Sequence, residues 1–231
     1  MREIARLPLF LCVALLPALV VPSAAAQAEA ESWSIRVAAL DIAGGHDTLW
    51  LRADSGGEPL RLPLNTRVFS RAIAYKGPPQ ISFYGSAAEA TAEEAPEPIA
   101  SSLLRSRASL LVFAPRADGM GYQVMVISDN EFPLGSFRLA NLSSATVIAE
   151  LAGRSVSLGP GKAETFAYRQ AENAIPVRLS AQTNGVLPRV IRQTSWSIVP
   201  TQRELVLFFP NPQSGLVRLR HFVDSEDEPE A

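Results

Sequence analysis

The chain has 231 residues, with 21 Lys+Arg against 23 Asp+Glu, one Cys and two His. At 47% hydrophobic and 19% charged it has the composition of a chain that folds rather than stays disordered. A formal net charge of −2 argues against a duplex-binding protein, which carries a basic face, so no nucleic acid is expected as a partner.

Residues 1–28 read as a secretory signal peptide. Arg2 and Arg6 form a positive start, and Leu7 to Val21 is an apolar run too short and Pro-interrupted for a membrane span. Small residues in Ala24-Ala25-Ala26-Gln27-Ala28 suit cleavage after Ala26 or after Ala28. The mature chain then loses Cys12, the only cysteine, and has no transmembrane segment. An exported chain without cysteine has no disulfides and relies on its core. The expected location is periplasmic or extracellular.

Short strands at period two follow. Trp33, Ile35, Val37 and Ala39 alternate with polar or small residues, as do Leu49 and Leu51, then Leu60, Leu62 and Leu64. Ile73 with Tyr75 and Ile81 with Phe83 continue the pattern. Leu110 to Phe113 is continuously apolar, as a central strand buried on both faces would be, and Val124 and Val126 close the half. The second half runs through Phe137 and Leu139, Val147 to Leu151, Val156 and Leu158, Phe166 and Tyr168, and Val177 and Leu179. Leu205 to Phe209 is its central strand, Val217 and Leu219 close it, and 190–199 adds one further strand.

The two halves match in order. Ile35-Arg36-Val37-Ala38-Ala39-Leu40 resembles Phe137-Arg138-Leu139-Ala140-Asn141-Leu142 at an offset of 102. Ala74-Tyr75-Lys76 matches Ala167-Tyr168-Arg169 at 93, and 109–115 matches 204–210 at 95. Val126-Ile127-Ser128-Asp129 matches His221-Phe222-Val223-Asp224, again at 95. An internal duplication with loop insertions explains this drift. The fold class expected is all-β: two tandem antiparallel β-sandwich, immunoglobulin-like domains, at 29–130 and 131–223, with a linker near 128–134. The Ala/Glu/Pro-rich segment 86–102 reads as an exposed insertion with room for a short helical turn, and 224–231 as a disordered acidic tail.

On these paired halves and the Phe137 to Leu142 pattern, the chain resembles uncharacterised secreted bacterial proteins built from tandem immunoglobulin-like repeats. The resemblance implies the sandwich architecture and no particular activity.

Few residues suggest chemistry. No G-x-S-x-G or H-E-x-x-H occurs, and only His46 and His221 can act as a base. His221 is in phase with Val217 and Leu219 and reads as packed. Asp41, His46 and Asp47 are weak candidate metal ligands, short of a supported ligand shell. Asp129, Asn130 and Glu131 fall equally short of a Ca²⁺ shell. No cofactor and no catalytic residue is expected. Trp50 shares its strand face with Thr48 and Arg52, opposite Leu49 and Leu51. An outward Trp beside Arg and Thr suits stacking on a sugar or a partner, or cover by its own chain. The reading is a non-catalytic exported protein with a structural or protein-interaction role in the cell envelope. The alternative is a carbohydrate-binding module using Trp50, Arg52 and Thr48. An enzyme of unrecognised type ranks below both. The expected partner is therefore an envelope protein or a glycan.

Overall fold

The structure, a computed structural model, describes residues 31–52, 57–94, 96–168, 174–183 and 186–225. Residues 1–28, read above as a signal peptide, and 226–231 of the expected tail lie outside these residues.

The first half contains β1 (Ser32–Ala39), β2 (Thr48–Leu51), β3 (Leu60–Pro63), β4 (Ile73–Lys76), β5 (Gln80–Tyr84), α1 (Ala87–Thr91), β6 (Ala100–Leu103), β7 (Ala108–Pro115) and β8 (Tyr122–Ser128). The second contains β9 (Ser136–Asn141), β10 (Thr146–Leu151), β11 (Arg154–Leu158), β12 (Ala163–Ala167), β13 (Ala174–Gln182), β14 (Arg189–Ser197), β15 (Gln202–Pro210) and β16 (Val217–Ser225). Four four-stranded sheets result, ordered β4-β1-β7-β8 and β3-β2-β5-β6, then β12-β9-β15-β16 and β11-β10-β13-β14. The second pair repeats the first element by element. All-β architecture in two sandwiches related by duplication is therefore what the chain adopts.

The duplication holds at the level of strand register. Ile35 pairs with Ile73, and Phe137, 102 further on, pairs with Phe166, 93 further on. Phe113 opposes Val124 as Phe208 opposes Leu219, both shifted by 95. Tyr75 opposes Trp33, and the Tyr168 N–H donates to the Gly135 carbonyl, which is 102 beyond Trp33. The sheets are not purely antiparallel as expected. β1 pairs β7 in parallel, and β9 pairs β15 in parallel. The first and seventh strands of each half enter from the same end, so a hairpin relation is impossible between them.

Period-two alternation positions the core. Trp33, Ile35, Val37 and Ala39 face the first sandwich interior with Leu111 and Phe113. Phe137, Leu139, Val206 and Phe208 do the same in the second. Phe113 and Phe208 are fully buried, as expected. Trp33 is also buried, and its indole N–H donates to the Gly77 carbonyl at 3.0 Å. In the FRLANL run the surprising residue is Asn141, which is polar and fully buried. Its amide donates to the carbonyls of Ala145 and Leu158, and its oxygen accepts from the Ser143 N–H and hydroxyl. The side chain thus ties the turn after β9 to the end of β11.

Three expectations are corrected. The 86–102 segment is more structured than its composition suggests. Ser86 caps α1 by accepting from the Glu89 N–H, Glu89 reaches back to the Gly85 N–H, and Ala90 is buried. Its last residues, with Leu103, form β6, the edge partner of β5 and the counterpart of β14. The 128–134 linker is packed: a 3-10 turn spans Asp129–Glu131, and Phe132 is fully buried. Asp224 and Ser225 are not tail but the end of β16, and Asp224 is buried beside two arginines. A row of acidic letters hid one that is paired.

Candidate functional site

The even-numbered residues of β7 face away from the first interior, yet Leu110 and Val112 are buried. They meet the second sandwich. Ala38, Leu40, Leu110, Val112 and Ile127 pack with Ala140, Leu205, Leu207 and Phe222 in a third apolar core. Ala38 and Ala140, Leu110 and Leu205, Val112 and Leu207, and Ile127 and Phe222 are equivalent under the duplication. The same surface of each half is used on both sides, as at a two-fold interface. The layer order is β3-β2-β5-β6, β4-β1-β7-β8, β12-β9-β15-β16, β11-β10-β13-β14.

An ionic cluster closes one end of this interface. Asp224 pairs with Arg36 of the first sandwich and with Arg203 Nε at 2.7 Å. Arg203 also pairs with Asp129 of the junction, donates to the Phe132 carbonyl and lies over the Phe132 ring. Asp129 is thereby a partner of an arginine. A pocket of about 550 Å³ opens beside this cluster, lined by Ser34, Arg36, Arg71, Asp129, Arg203 and Asp224 and by apolar residues such as Leu110 and Leu134.

The two flanks of the interface differ. On the β4/β16 flank, the loop between β3 and β4 lies over the joint. Ser70 N–H donates to Val37 O, Ser70 Oγ accepts from Val37 N–H, and Ser70 O accepts from Arg36 Nε at 3.0 Å. Val68 forms a parallel bridge to Val223, and Phe69 meets Phe222 with ring centroids 5.8 Å apart. Arg220 donates to the carbonyls of Leu40 and Thr66. On the β8/β12 flank the corresponding loop is shorter. Ala39 N–H bonds Asn65 O and Asn141 N–H bonds Lys162 O, so Asn65 and Lys162 are equivalent starting points. Ile73 lies eight residues past Asn65, whereas its counterpart Phe166 lies four past Lys162. Gly161, at φ +71°, lets this short turn close where a side chain would be strained.

The shorter loop leaves a groove of about 780 Å³ between the sandwiches. Met125, Ile127, Leu142, Phe209 and Pro115 are among its apolar lining. Arg116, Arg138, Lys162 and Asp41 are its charged residues. Arg116 pairs with Asp118 at 3.1 Å, and Arg138 Nη2 lies 3.7 Å from Glu131. Lys162 has no carboxylate partner among the described residues. The Asp118 carboxyl is held below its ordinary range by the Met120 N–H and then by Arg116. Arg138 Nη1 donates to Thr165 Oγ1 at 2.8 Å, but its buried Nε has no hydrogen-bond partner among the described residues. Grooves between domains with apolar walls and few polar groups are the usual places for ligands. Of these groove residues sequence reasoning had singled out only Asp41, and that as a weak candidate metal ligand. Only the 102-residue equivalence of Arg36 and Arg138 pointed to the groove.

The other residues that sequence singled out lie elsewhere. Thr48, Trp50 and Arg52 are half-buried on the outer face of the first sandwich. Trp50 stands between its cross-strand neighbours Arg61 and Tyr84. Arg52 donates to the carbonyls of Ala90 and Ala92, satisfying the end of α1, so its guanidinium serves the fold. Asp41 and Asp47 are exposed and His46 is half-buried, and among the described residues no group of three or more His, Cys, Asp or Glu converges. His221 pairs with Glu204 at 3.3 Å and meets Trp196 edge-on at 5.0 Å.

Tyr122 holds the loop that carries His46. Its hydroxyl accepts from the Ala43 N–H at 2.8 Å and donates to the His46 carbonyl at 2.9 Å. Burial raises its pKa, partly offset by the Ala43 N–H, with Asp41 and Asp47 adding to the rise. Burial likewise raises Tyr168. A phenol with a raised folded-state pKa contributes stability that is intact below its unfolded pKa. That contribution is lost as pH climbs from the unfolded value, about 10, through the folded one. Alkaline melts should therefore show falling stability above about pH 10, with a shallower fall in Tyr122→Phe. An identical alkaline slope in that variant would contradict this role.

No protein-family model matches the chain, and no curated protein does. Among solved structures, the membrane pore complex of pneumolysin is similar over 68% of this chain and 32% of that one, at 7% identity and a TM-score of 0.32. Human GIVD cytosolic phospholipase A2 is similar over 87% of this chain and 32% of that one, at 14% identity and a TM-score of 0.26. The chain thus spans about a third of the length of either. These likenesses carry no argument about its function.

Proposed function

We propose that the protein is an exported, non-catalytic binding module of the cell envelope, and that it holds a protein partner in the groove between its two sandwiches. The observation that carries this reading is the groove itself. It has an apolar wall of Met125, Leu142 and Phe209 with a cationic rim, on a frame fixed by a shared core. Such a wall stabilises a buried apolar segment by about 25 cal/mol per Å² covered. Nucleophilic chemistry needs a hydroxyl or thiol beside a base. Neither His46 nor His221 lines the groove. Export rests on Arg2, Arg6, the Leu7 to Val21 run and the small residues near Ala26.

The test is photo-cross-linking in the source cells. A photoreactive side chain at Gln123, an exposed groove residue, should trap a discrete envelope protein. The same group at Ser195, on the far sheet, should trap none. Equal products from both positions would refute the groove as the binding surface. Retention on glycans that is lost in Trp50→Ala, with no product from Gln123, would replace it with the carbohydrate reading.

A further inference from the structure

The molecule carries its own example of a filled flank. Under the duplication, Arg36 corresponds to Arg138, Leu40 to Leu142, Phe222 to Ile127, and Arg220 to Met125. On the filled flank, residues 66–70 run extended over the joint. Phe69 covers Phe222, Ser70 O takes the Arg36 Nε hydrogen, and Val68 bridges the edge strand β16. On the open flank the equivalent residues line the groove, and among the described residues no counterpart of 66–70 lies over them: Met125 is half-buried, Ile127 is buried in the shared core, and Arg138 reaches only Glu131 and Thr165. Ile127 and Met125 lie on β8, which is the edge strand of its sheet. Arg138 Nε is buried with its hydrogen unused, although a buried N–H normally has an acceptor. Where Arg220 fills the sealed flank with a guanidinium, Met125 adds a flexible apolar side chain suited to an irregular guest.

We infer that the open groove receives an extended peptide segment of a partner protein, seated as residues 66–70 are seated on the opposite flank. The segment places an aromatic side chain against Met125, the accessible apolar residue beside the buried Ile127. It presents a backbone carbonyl to the Arg138 guanidinium and lies along the edge of β8 beyond Tyr122, whose N–H already donates to the Ile99 carbonyl, the mode by which edge strands recruit peptides. An acidic residue in the segment pairs with Lys162, the rim cation that has no carboxylate partner among the described residues. This rests on the binding reading above and names the class of partner it takes.

The probe is a synthetic peptide copying residues 65–72 with Arg67→Glu, labelled with a fluorophore and titrated into the mature chain. Saturable binding is expected, weakened about tenfold or more by Phe69→Ala in the peptide, since a ring's worth of burial is lost. Lys162→Glu in the protein should weaken it severalfold and flatten or reverse its dependence on added salt, because the attraction that salt screens is replaced by a repulsion. Lys162 is exposed, so this variant keeps the fold. Met125→Glu should abolish binding, with circular dichroism confirming the fold. No saturable binding at millimolar peptide, or binding indifferent to both Phe69→Ala and Lys162→Glu, overturns the inference. Binding of dodecanoate in place of the peptide also overturns it and makes the groove a lipid site. If the peptide fails while the Gln123 cross-link still forms, the partner is a protein but not an extended segment. If both fail, the binding reading falls as well.

Discussion

Phe208→Ala is expected to lower the stability of the whole chain, not of its second half alone, by about 3–5 kcal/mol. Phe208 is fully buried in β15, opposite Leu219 and beside Asn141 of β9. Truncation leaves a cavity that a close-packed sandwich interior relaxes into only partly. At this chain length the melting temperature should fall by roughly 6–20 °C. The strand that carries Phe208 also carries Leu205 and Leu207, which sit in the core shared with the first sandwich. Loss of β15 therefore strips the cover from Leu110 and Val112. Calorimetry should show one transition that shifts as a unit. Two transitions, with only one displaced, would show that the shared core does not couple the halves.

Asp224→Ala should cost about as much, roughly 3–5 kcal/mol, through a different mechanism. Asp224 is buried between Arg36 of one sandwich and Arg203 of the other. Its removal leaves Arg203, itself buried, with only Asp129 as an ionic partner. An uncompensated buried charge is the costly outcome, more so than loss of the pair as a whole. The double variant Asp224→Ala with Arg36→Met should recover part of the loss, because one orphaned charge goes with it. Chemical denaturation of both variants checks this. A single variant within 1 kcal/mol of the parent, on the order of a surface pair, would contradict the buried cluster.

Much of this fold was legible in the letters. Alternation placed Trp33, Ile35, Phe137 and Leu139 inward correctly, because a strand has only two faces. The offsets of 102, 93 and 95 reappear as register equivalences, since homologous strands keep their partners. The apolar run Leu110 to Phe113 announced burial on both faces, but nothing in it says that the second cover is the other sandwich. β6 was missed because Ala100-Ser101-Ser102-Leu103 has no bulky alternation, while the Ser86-x-x-Glu89 capping pattern was there to be read. Asp224 was hidden because local sequence reports charge and not burial. The groove was hidden for a plainer reason. It arises from a four-residue difference between two loops, visible in sequence only as part of the offset drift, and its lining comes from strands distant in the chain. Trp50 and Arg52 attracted attention as outward residues, and Arg52 turned out to serve α1.

Hydrogen exchange of the chain, with and without the peptide copying 65–72 with Arg67→Glu, tests the groove most directly. New protection is expected only in Tyr122–Ser128 of β8 and in β9, with β2 and β14 unchanged. Unaltered exchange in β8, together with new protection at β14 or on the Trp50 strand, would contradict binding in the groove.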